Sequence, residues 1–343
     1  MNCLTKIFIF FLTVSFLGAV EKIYAAEFGI GGTDGLEIIV NPEFPKGNEV
    51  VNFKAESYTV NLNEAEISWF VDGEFQTGGQ GLVDFSVQIG PPGTETLVTA
   101  IVKHQSGASF TRQVFVRPAE VSLIWEANGF TPPFYKGKTL FSYEGEVRVI
   151  ARPNIITKDG RLLSSKSLVY IWKENGQIIN ELSGYGKDVF VAIGTVPLRP
   201  ITISVEAKTA DEAYVAKGEI SIAQDKPVVL FYEKHPLYGI LYNRALRRNL
   251  NLNTSEMSVV AIPYFFTADS MENRSLLYSW NMNGIPLEGS RNSIVLRAEE
   301  GKSGRATVGL EVRSADKLFQ FGEGGLNVYF GEQNRTRNIF LGR

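Results

Sequence analysis

Ile67-Ser68-Trp69-Phe70-Val71-Asp72-Gly73, Tyr170-Ile171-Trp172-Lys173-Glu174-Asn175-Gly176 and Tyr278-Ser279-Trp280-Asn281-Met282-Asn283-Gly284 are three copies of one local frame. Their tryptophans stand 103 and 108 residues apart. That period is too long for a solenoid repeat and fits a domain copied in tandem. In each copy alternate residues share one face of a strand: Ile67, Trp69 and Val71; Leu168, Tyr170 and Trp172; Leu276, Tyr278 and Trp280. An Asp-Gly or Asn-Gly pair follows, which tolerates the two positive φ angles of a type I′ hairpin turn. A short return strand is expected after it, at Glu74-Phe75, Gln177-Ile178-Ile179 and Ile285-Pro286-Leu287.

The flanking segments repeat as well. An early strand alternates as Val51/Phe53/Ala55, Val147/Val149/Ala151 and Ser258/Val260/Ile262. After the hairpin come Phe85/Val87/Ile89, Val189/Val191 and Ile294/Leu296/Ala298, then Leu97/Thr99/Ile101, Ile201/Ile203/Val205/Ala207 and Val308/Leu310/Val312. Closing strands are expected over 110–116, 214–222 and 326–330. Six or seven short strands per ~100 residues, with turn residues between them, predict an all-β chain of three tandem β-sandwiches. The expected boundaries are 35–118, 119–225 and 226–331, with a basic tail over 332–343 that includes Arg335, Arg337 and Arg343. The links around Pro118 and Pro227 are short and hold no Gly/Ser run, which predicts a semi-rigid rod.

The Trp-x-x-x-Gly frame on the third strand resembles the immunoglobulin-like sandwich, in which a buried Trp fills the space between sheets. Ile201-Thr202-Ile203-Ser204-Val205-Glu206-Ala207-Lys208-Thr209 resembles the penultimate strand of bacterial PKD-type domains. The likeness covers residues 35–331. No Cys pair flanks any Trp, which sets aside antibody-type domains, and Gly follows each Trp at the fourth position where PKD domains carry a longer Trp-Asp-Phe-Gly-Asp-Gly run. Immunoglobulin-like and PKD-like readings both fit. Either implies Trp69, Trp172 and Trp280 as structural core residues and a structural or adhesive role at a bacterial cell surface.

Residues 1–26 read as a secretory signal peptide. Lys6 precedes an apolar run of 14 residues, Ile7 to Val20, shorter than the roughly 20 needed to span a bilayer as a helix. Ile23-Tyr24-Ala25 and Tyr24-Ala25-Ala26 both suit cleavage. Cys3 precedes the apolar run, so it does not make a lipoprotein signal, and its removal leaves a mature chain with no Cys and no disulfide. Cleavage also removes Lys6, Glu21 and Lys22 and takes the net charge from -3 to -4. The expected location is extracellular or cell-surface, or periplasmic or membrane-tethered if the segment stays uncleaved. In that last case the N-terminal segment is the one expected membrane contact.

The chain of 343 residues is 44% hydrophobic, with 23 Phe, 13 Tyr and 4 Trp, enough for several ring-anchored cores. Its near-neutral balance speaks against nucleic acid as a partner, because phosphate binding needs a basic face. Two His, His104 and His235, lie about a domain apart and cannot share a triad in a rod. Glu299 and Glu300 are adjacent and would face opposite sides of a strand. With no His-Glu-x-x-His, phosphate loop or Asp-x-Asp-x-Asp-Gly loop, the reading is of a non-enzyme without metal or cofactor.

Three groups are candidate partner contacts. Pro132-Pro133-Phe134-Tyr135-Lys136-Gly137-Lys138 and His235-Pro236-Leu237-Tyr238-Gly239 follow the first strands of the second and third units. Phe134, Tyr135 and Tyr238 there either contact a glycan or protein, or pack across the junction with the preceding domain. Arg244, Arg247 and Arg248 form a basic cluster that either docks an anionic surface polymer or is a solvated loop. The expected partner is a cell-envelope protein or glycan. The alternative role is carbohydrate binding, or an accessory part of a cell-envelope machine such as a pilus or secretion apparatus.

Overall fold

The structure is a computed structural model that describes residues 35–196, 199–289 and 291–331. The expected signal peptide and the basic tail lie outside the described residues. What is described is almost wholly β, broken by two single 3₁₀ turns at Ser165–Ser167 and Asn180–Leu182.

The first sandwich holds β1 (Leu36–Asn41), β2 (Val50–Ser57), β3 (Glu66–Val71), β4 (Glu74–Gln80), β5 (Asp84–Gln88), β6 (Thr96–Lys103) and β7 (Ser109–Val116). Its sheets run β1-β2-β5 and β4-β3-β6-β7. The second holds β8 (Glu120–Ala127), β9 (Glu146–Asn154), β10 (Val169–Glu174), β11 (Gln177–Ile178), β12 (Gly184–Tyr185), β13 (Val189–Ile193), β14 (Ile201–Lys208) and β15 (Val215–Ile222), in sheets β13-β9-β8 and β11-β10-β14-β15. The third holds β16 (Val228–His235), β17 (Gly239–Ile240), β18 (Asn249–Leu252), β19 (Glu256–Tyr264), β20 (Leu276–Met282), β21 (Ile285–Leu287), β22 (Ser293–Arg297), β23 (Gly304–Ser314) and β24 (Phe321–Phe330). Its sheets are β17-β16-β19-β22 and β18-β24-β23-β20-β21. Each pair of sheets encloses its own apolar cluster.

The tryptophan frame builds each core in the same way. Trp69, Trp172 and Trp280 are buried, and rings of Phe85, Phe190 and Phe231 lie 5.4, 5.3 and 5.6 Å away. A buried indole still needs a partner for its N–H. It finds one each time in the carbonyl just before the next strand of the facing sheet: Leu82 at 2.9 Å, Lys187 at 2.8 Å and Arg291 at 2.6 Å. The indole therefore ties the two sheets together by a polar bond as well as by burial.

The hairpin turns are locked by the same device three times. Asp72, Asn175 and Asn283 have φ of 51, 49 and 51°, and the glycines after them 85, 84 and 82°, as type I′ turns require. Each Asp or Asn then bonds the next core strand at two points. Its N–H donates to Leu97, Thr202 or Thr307 carbonyl, and its side-chain oxygen accepts from the N–H of that same residue.

Three of the alternating faces point the other way from expectation. In β6 the core side chains are Val98, Ala100 and Val102, and Leu97, Thr99 and Ile101 lie outside. In β13 the core takes Phe190 and Ala192, not Val189 and Val191. In β19 the core takes Val259 and Ala261, while Val260 and Ile262 are buried in a second cluster on the outer side of the sheet. The cause is common to all three: both faces carry apolar residues, so a period of two does not say which face is inward. β4 is also longer than expected, seven residues against two, because it bulges at Trp69/Phe70 and stays paired to Glu66.

Candidate functional site

The second apolar cluster of the third unit is where the candidate contact segments meet. The outer face of β16 and β19 presents Tyr232, Val260, Ile262 and Tyr264, with Phe265 at the strand end. Phe130 and Leu140 cover it from the second sandwich, and Ile240, Tyr242 and Ala245 from the third. Tyr232 and Tyr264 hydroxyls are 2.6 Å apart. Burial, and then the bond to Tyr232, hold the Tyr264 phenol well above the usual tyrosine range, and burial also raises the Tyr242 phenol.

Tyr135 lies edge-on to Tyr264 and Phe265, both centroids at 5.8 Å. The segment of the second unit therefore packs onto the following domain, which corrects the expected direction. Its neighbour Phe134 is exposed, at a φ of 66°. The loop folds on itself: the Tyr135 hydroxyl donates to the Lys138 carbonyl, and the Lys138 ammonium sits 3.4 Å above the Trp125 ring. Partial burial there lowers the Lys138 pKa. In the third unit Tyr238 stacks on His235 at 4.7 Å and is exposed to solvent. Arg244, Arg247 and Arg248 are all exposed. Arg248 lines a groove of about 290 Å³ with Phe231, Leu246 and Gly324.

Sequence reasoning missed the strongest polar site, the junction between the second and third sandwiches. Phe130 and Phe265/Phe266 exchange two backbone hydrogen bonds of 2.7 Å. The Ser142 hydroxyl donates to the Phe265 carbonyl at 2.8 Å, and the Phe319 N–H donates to the Glu144 carboxylate at 2.7 Å. Gln320 is wholly buried between them. Its amide donates to the Tyr143 carbonyl and the Thr267 hydroxyl, and its oxygen accepts from the Thr267 N–H. A lone Gln in a loop carries no sequence signal of such a role.

The first junction is lighter. The Ala119 N–H donates to the Pro45 carbonyl at 3.2 Å. Lys217 reaches Glu43 at 3.4 Å and lies 3.8 Å over the Phe44 ring. Arg117 bonds Glu95 of the first sandwich and the Ala213 carbonyl of the second. A groove of about 420 Å³ beside it is lined by Lys46, Ile171, Lys173, Glu206 and Lys217.

Among the described residues no three His, Asp or Glu side chains gather where they could hold a metal ion. In the first sandwich Phe70 and the exposed Phe75 meet edge-on, at 71°.

No family model and no curated protein matches the sequence. Among solved structures the chain is similar to three N-terminal domains of the bacteriophage RB49 Highly Immunogenic Outer Capsid protein, at 11% identity and a TM-score of 0.24, covering 87% of this chain and 98% of that one. It is also similar to the central fibronectin-III array of RIM-binding protein, at 10% identity and TM-score 0.31, covering 88% and 100%. A third is the Bacteroides ovatus mixed-linkage glucan utilization protein SGBP-B, at 12% identity and TM-score 0.19, covering 88% and 71%. The neighbours are tandem immunoglobulin- or fibronectin-III-like proteins. The fold itself is read from the strand order: first, second and fifth strands in one sheet of the first sandwich, the other four in the second.

Proposed function

We propose that the chain is an exported, non-catalytic protein of the bacterial cell surface. It acts as a semi-rigid spacer of three immunoglobulin-like or PKD-like sandwiches that holds or contacts a cell-envelope protein or glycan. The observation that carries this reading is the second junction. A buried glutamine with every polar group bonded, two backbone bonds and a shared apolar cluster fix one domain against the next. Relative domain motion is the default expectation for small interfaces, so a junction of this construction favours a role that needs fixed spacing. Phe134 and the cluster Arg244, Arg247 and Arg248 stand clear of it and are the proposed contacts to the envelope partner.

Small-angle scattering of the chain from Glu27 onward tests the spacer: an elongated particle is expected, and a compact sphere overturns it. Capture from its own cell envelope tests the contact. Retention of an envelope protein or glycan that is lost when the three arginines are changed to Ser supports it. Retention unaffected by those changes and by Phe134→Ser removes these residues from the role.

A further inference from the structure

Both internal junctions are made by the same part of the preceding sandwich, the segment that follows its first strand. After β1, Glu43, Phe44 and Pro45 engage Lys217 and Ala119. After β8, Phe130 and Tyr135 engage Tyr264, Phe265 and Phe266. In the second sandwich the receiving residues are Ala119 and, on β15, Lys217. In the third they lie at the end of β19, where Tyr264 pairs with Val228 at the start of the sandwich's own first strand.

The third sandwich carries a segment of the same kind after β16. At the 108-residue spacing of the second and third units, Tyr238 stands where Phe130 stands in the second. The turn is braced, because the His235 ring accepts from the N–H groups of Leu237 and Tyr238 and stacks on the Tyr238 ring. Yet Leu237 is 83% and Tyr238 76% exposed, whereas Tyr135 has Tyr264 and Phe265 to rest on. Two large apolar side chains on a stiff turn form a docking tip that nothing in the described residues covers.

The matching receiver is exposed at the opposite end of the molecule. Ser57 pairs with Leu36 at the start of β1 as Tyr264 pairs with Val228, so Tyr58, one residue on, occupies in the first sandwich the place that Phe265 holds in the third. Tyr58 is 87% exposed.

The tip and the receiver lie at the two ends where chain leaves and enters. A Cβ at Gly322 would meet Val229 and one at Gly324 would meet Phe231, so β16 and β24 run in the same direction. In the sequence, residues 332–343 carry Arg335, Arg337 and Arg343 against a single Glu332. Residues 27–34, which lead into β1, carry Glu27 and Asp34 and no Lys or Arg. The two terminal segments are thus opposite in net charge.

We infer that copies of this chain associate head to tail, with Leu237 and Tyr238 of one seated against Tyr58 of the next. The contact repeats the one made between the second and third sandwiches. Because it uses different patches on the two partners, it extends into a row of copies instead of closing a symmetric pair. It goes beyond the proposed spacer role and does not depend on export or on any envelope partner.

The test uses the chain from Glu27 onward, which keeps all three cores and has no Cys. Tyr238→Cys and Tyr58→Cys variants are made separately, and disulfide formation is followed alone and mixed under mild oxidation. The mixture is expected to cross-link about tenfold faster than either variant alone, because docking raises the local thiol concentration. Sedimentation of the unmodified chain should show mass rising with concentration, and a Leu237→Ser/Tyr238→Ser double variant should abolish the rise. Three equal cross-linking rates, a Tyr238→Cys variant that links to itself as fast as to its partner, or a monomer at every concentration overturns the inference. Both positions are exposed, so unchanged thermal unfolding of the variants separates these outcomes from misfolding.

Discussion

Gln320 of the third sandwich donates its amide to the Tyr143 carbonyl of the second at 2.6 Å, wholly out of contact with water. Three more polar atoms, on Thr267 and Ser142, complete the set. A buried amide of this kind stabilises one relative placement of the two domains, because any other leaves donors and acceptors dry and unpartnered.

Gln320→Leu should therefore loosen the junction more than it unfolds either domain. The Tyr143 carbonyl and the Thr267 N–H lose their partner, at about 1–3 kcal/mol each while they stay buried. Calorimetry should resolve the second and third sandwiches as separate transitions in the variant, and scattering should show a broader distribution of distances. An unchanged unfolding profile together with an unchanged scattering curve would show that the side chain is a passenger.

Trp172 tests the core. Trp172→Ala removes a fully buried ring and should cost the second sandwich about 3–5 kcal/mol. Trp172→Phe keeps much of the apolar volume but abandons the Lys187 carbonyl, and should cost about 1–3 kcal/mol. Urea unfolding followed in the second sandwich measures both. A Trp172→Phe variant as stable as the parent would mean that the indole N–H bond to Lys187 contributes nothing.

The turn lock makes a sharper comparison, because the three units do not use the same residue. Asp72 does in the first what Asn283 does in the third: it accepts from the backbone N–H of the neighbouring strand. Asn283→Asp keeps that acceptor and the tolerance of positive φ, so it should stay within about 0.5 kcal/mol of the parent. Asn283→Ala loses the acceptor and with it the side-chain bond that supports a φ of 51°, at a cost of about 1–3 kcal/mol. If Asp proves as damaging as Ala, the side-chain bond is not what holds the turn.

These features differ in how far residues alone announce them. The Trp frame and the Asp-Gly and Asn-Gly pairs are local signals, with their partners fixed a few positions away, and the fold class follows from them. The face of β19 was not legible, since Val259, Val260, Ala261 and Ile262 are apolar without a break and only the arrival of Phe130 and Leu140 from another domain explains the outer pair. The same holds for Gln320, in Lys317-Leu318-Phe319-Gln320, whose partners lie 53 and 177 residues away in sequence. Long-range polar contacts leave no periodicity to read. Of the candidate contacts, Phe134 and Tyr135 are neighbours in sequence yet part company in space, one in water and one against Tyr264.

Alkaline pH should separate the sandwiches from one another. Tyr170 is buried and Tyr278 half-buried, their hydroxyls donating to the carbonyls of Ser165 and Met271, and burial is the main cause that raises their pKa, as it is for Tyr264. In the unfolded chain a tyrosine ionises near pH 10. With the folded value higher, the unfolded state sheds protons first as pH rises, so the stabilisation these phenols give is complete below about pH 10 and is lost progressively above it. All three lie in the second and third sandwiches. Residues 35–118 hold one tyrosine, Tyr58, and it faces water. Raising the pH above about 10 should therefore unfold the second and third sandwiches while the first persists. Tyrosinate absorbance should rise in two steps, the later one coinciding with loss of tertiary circular dichroism. A Tyr278→Phe variant should shift the third sandwich's transition to higher pH. A single smooth titration with no structural loss would show that these hydroxyls reach water in the folded chain.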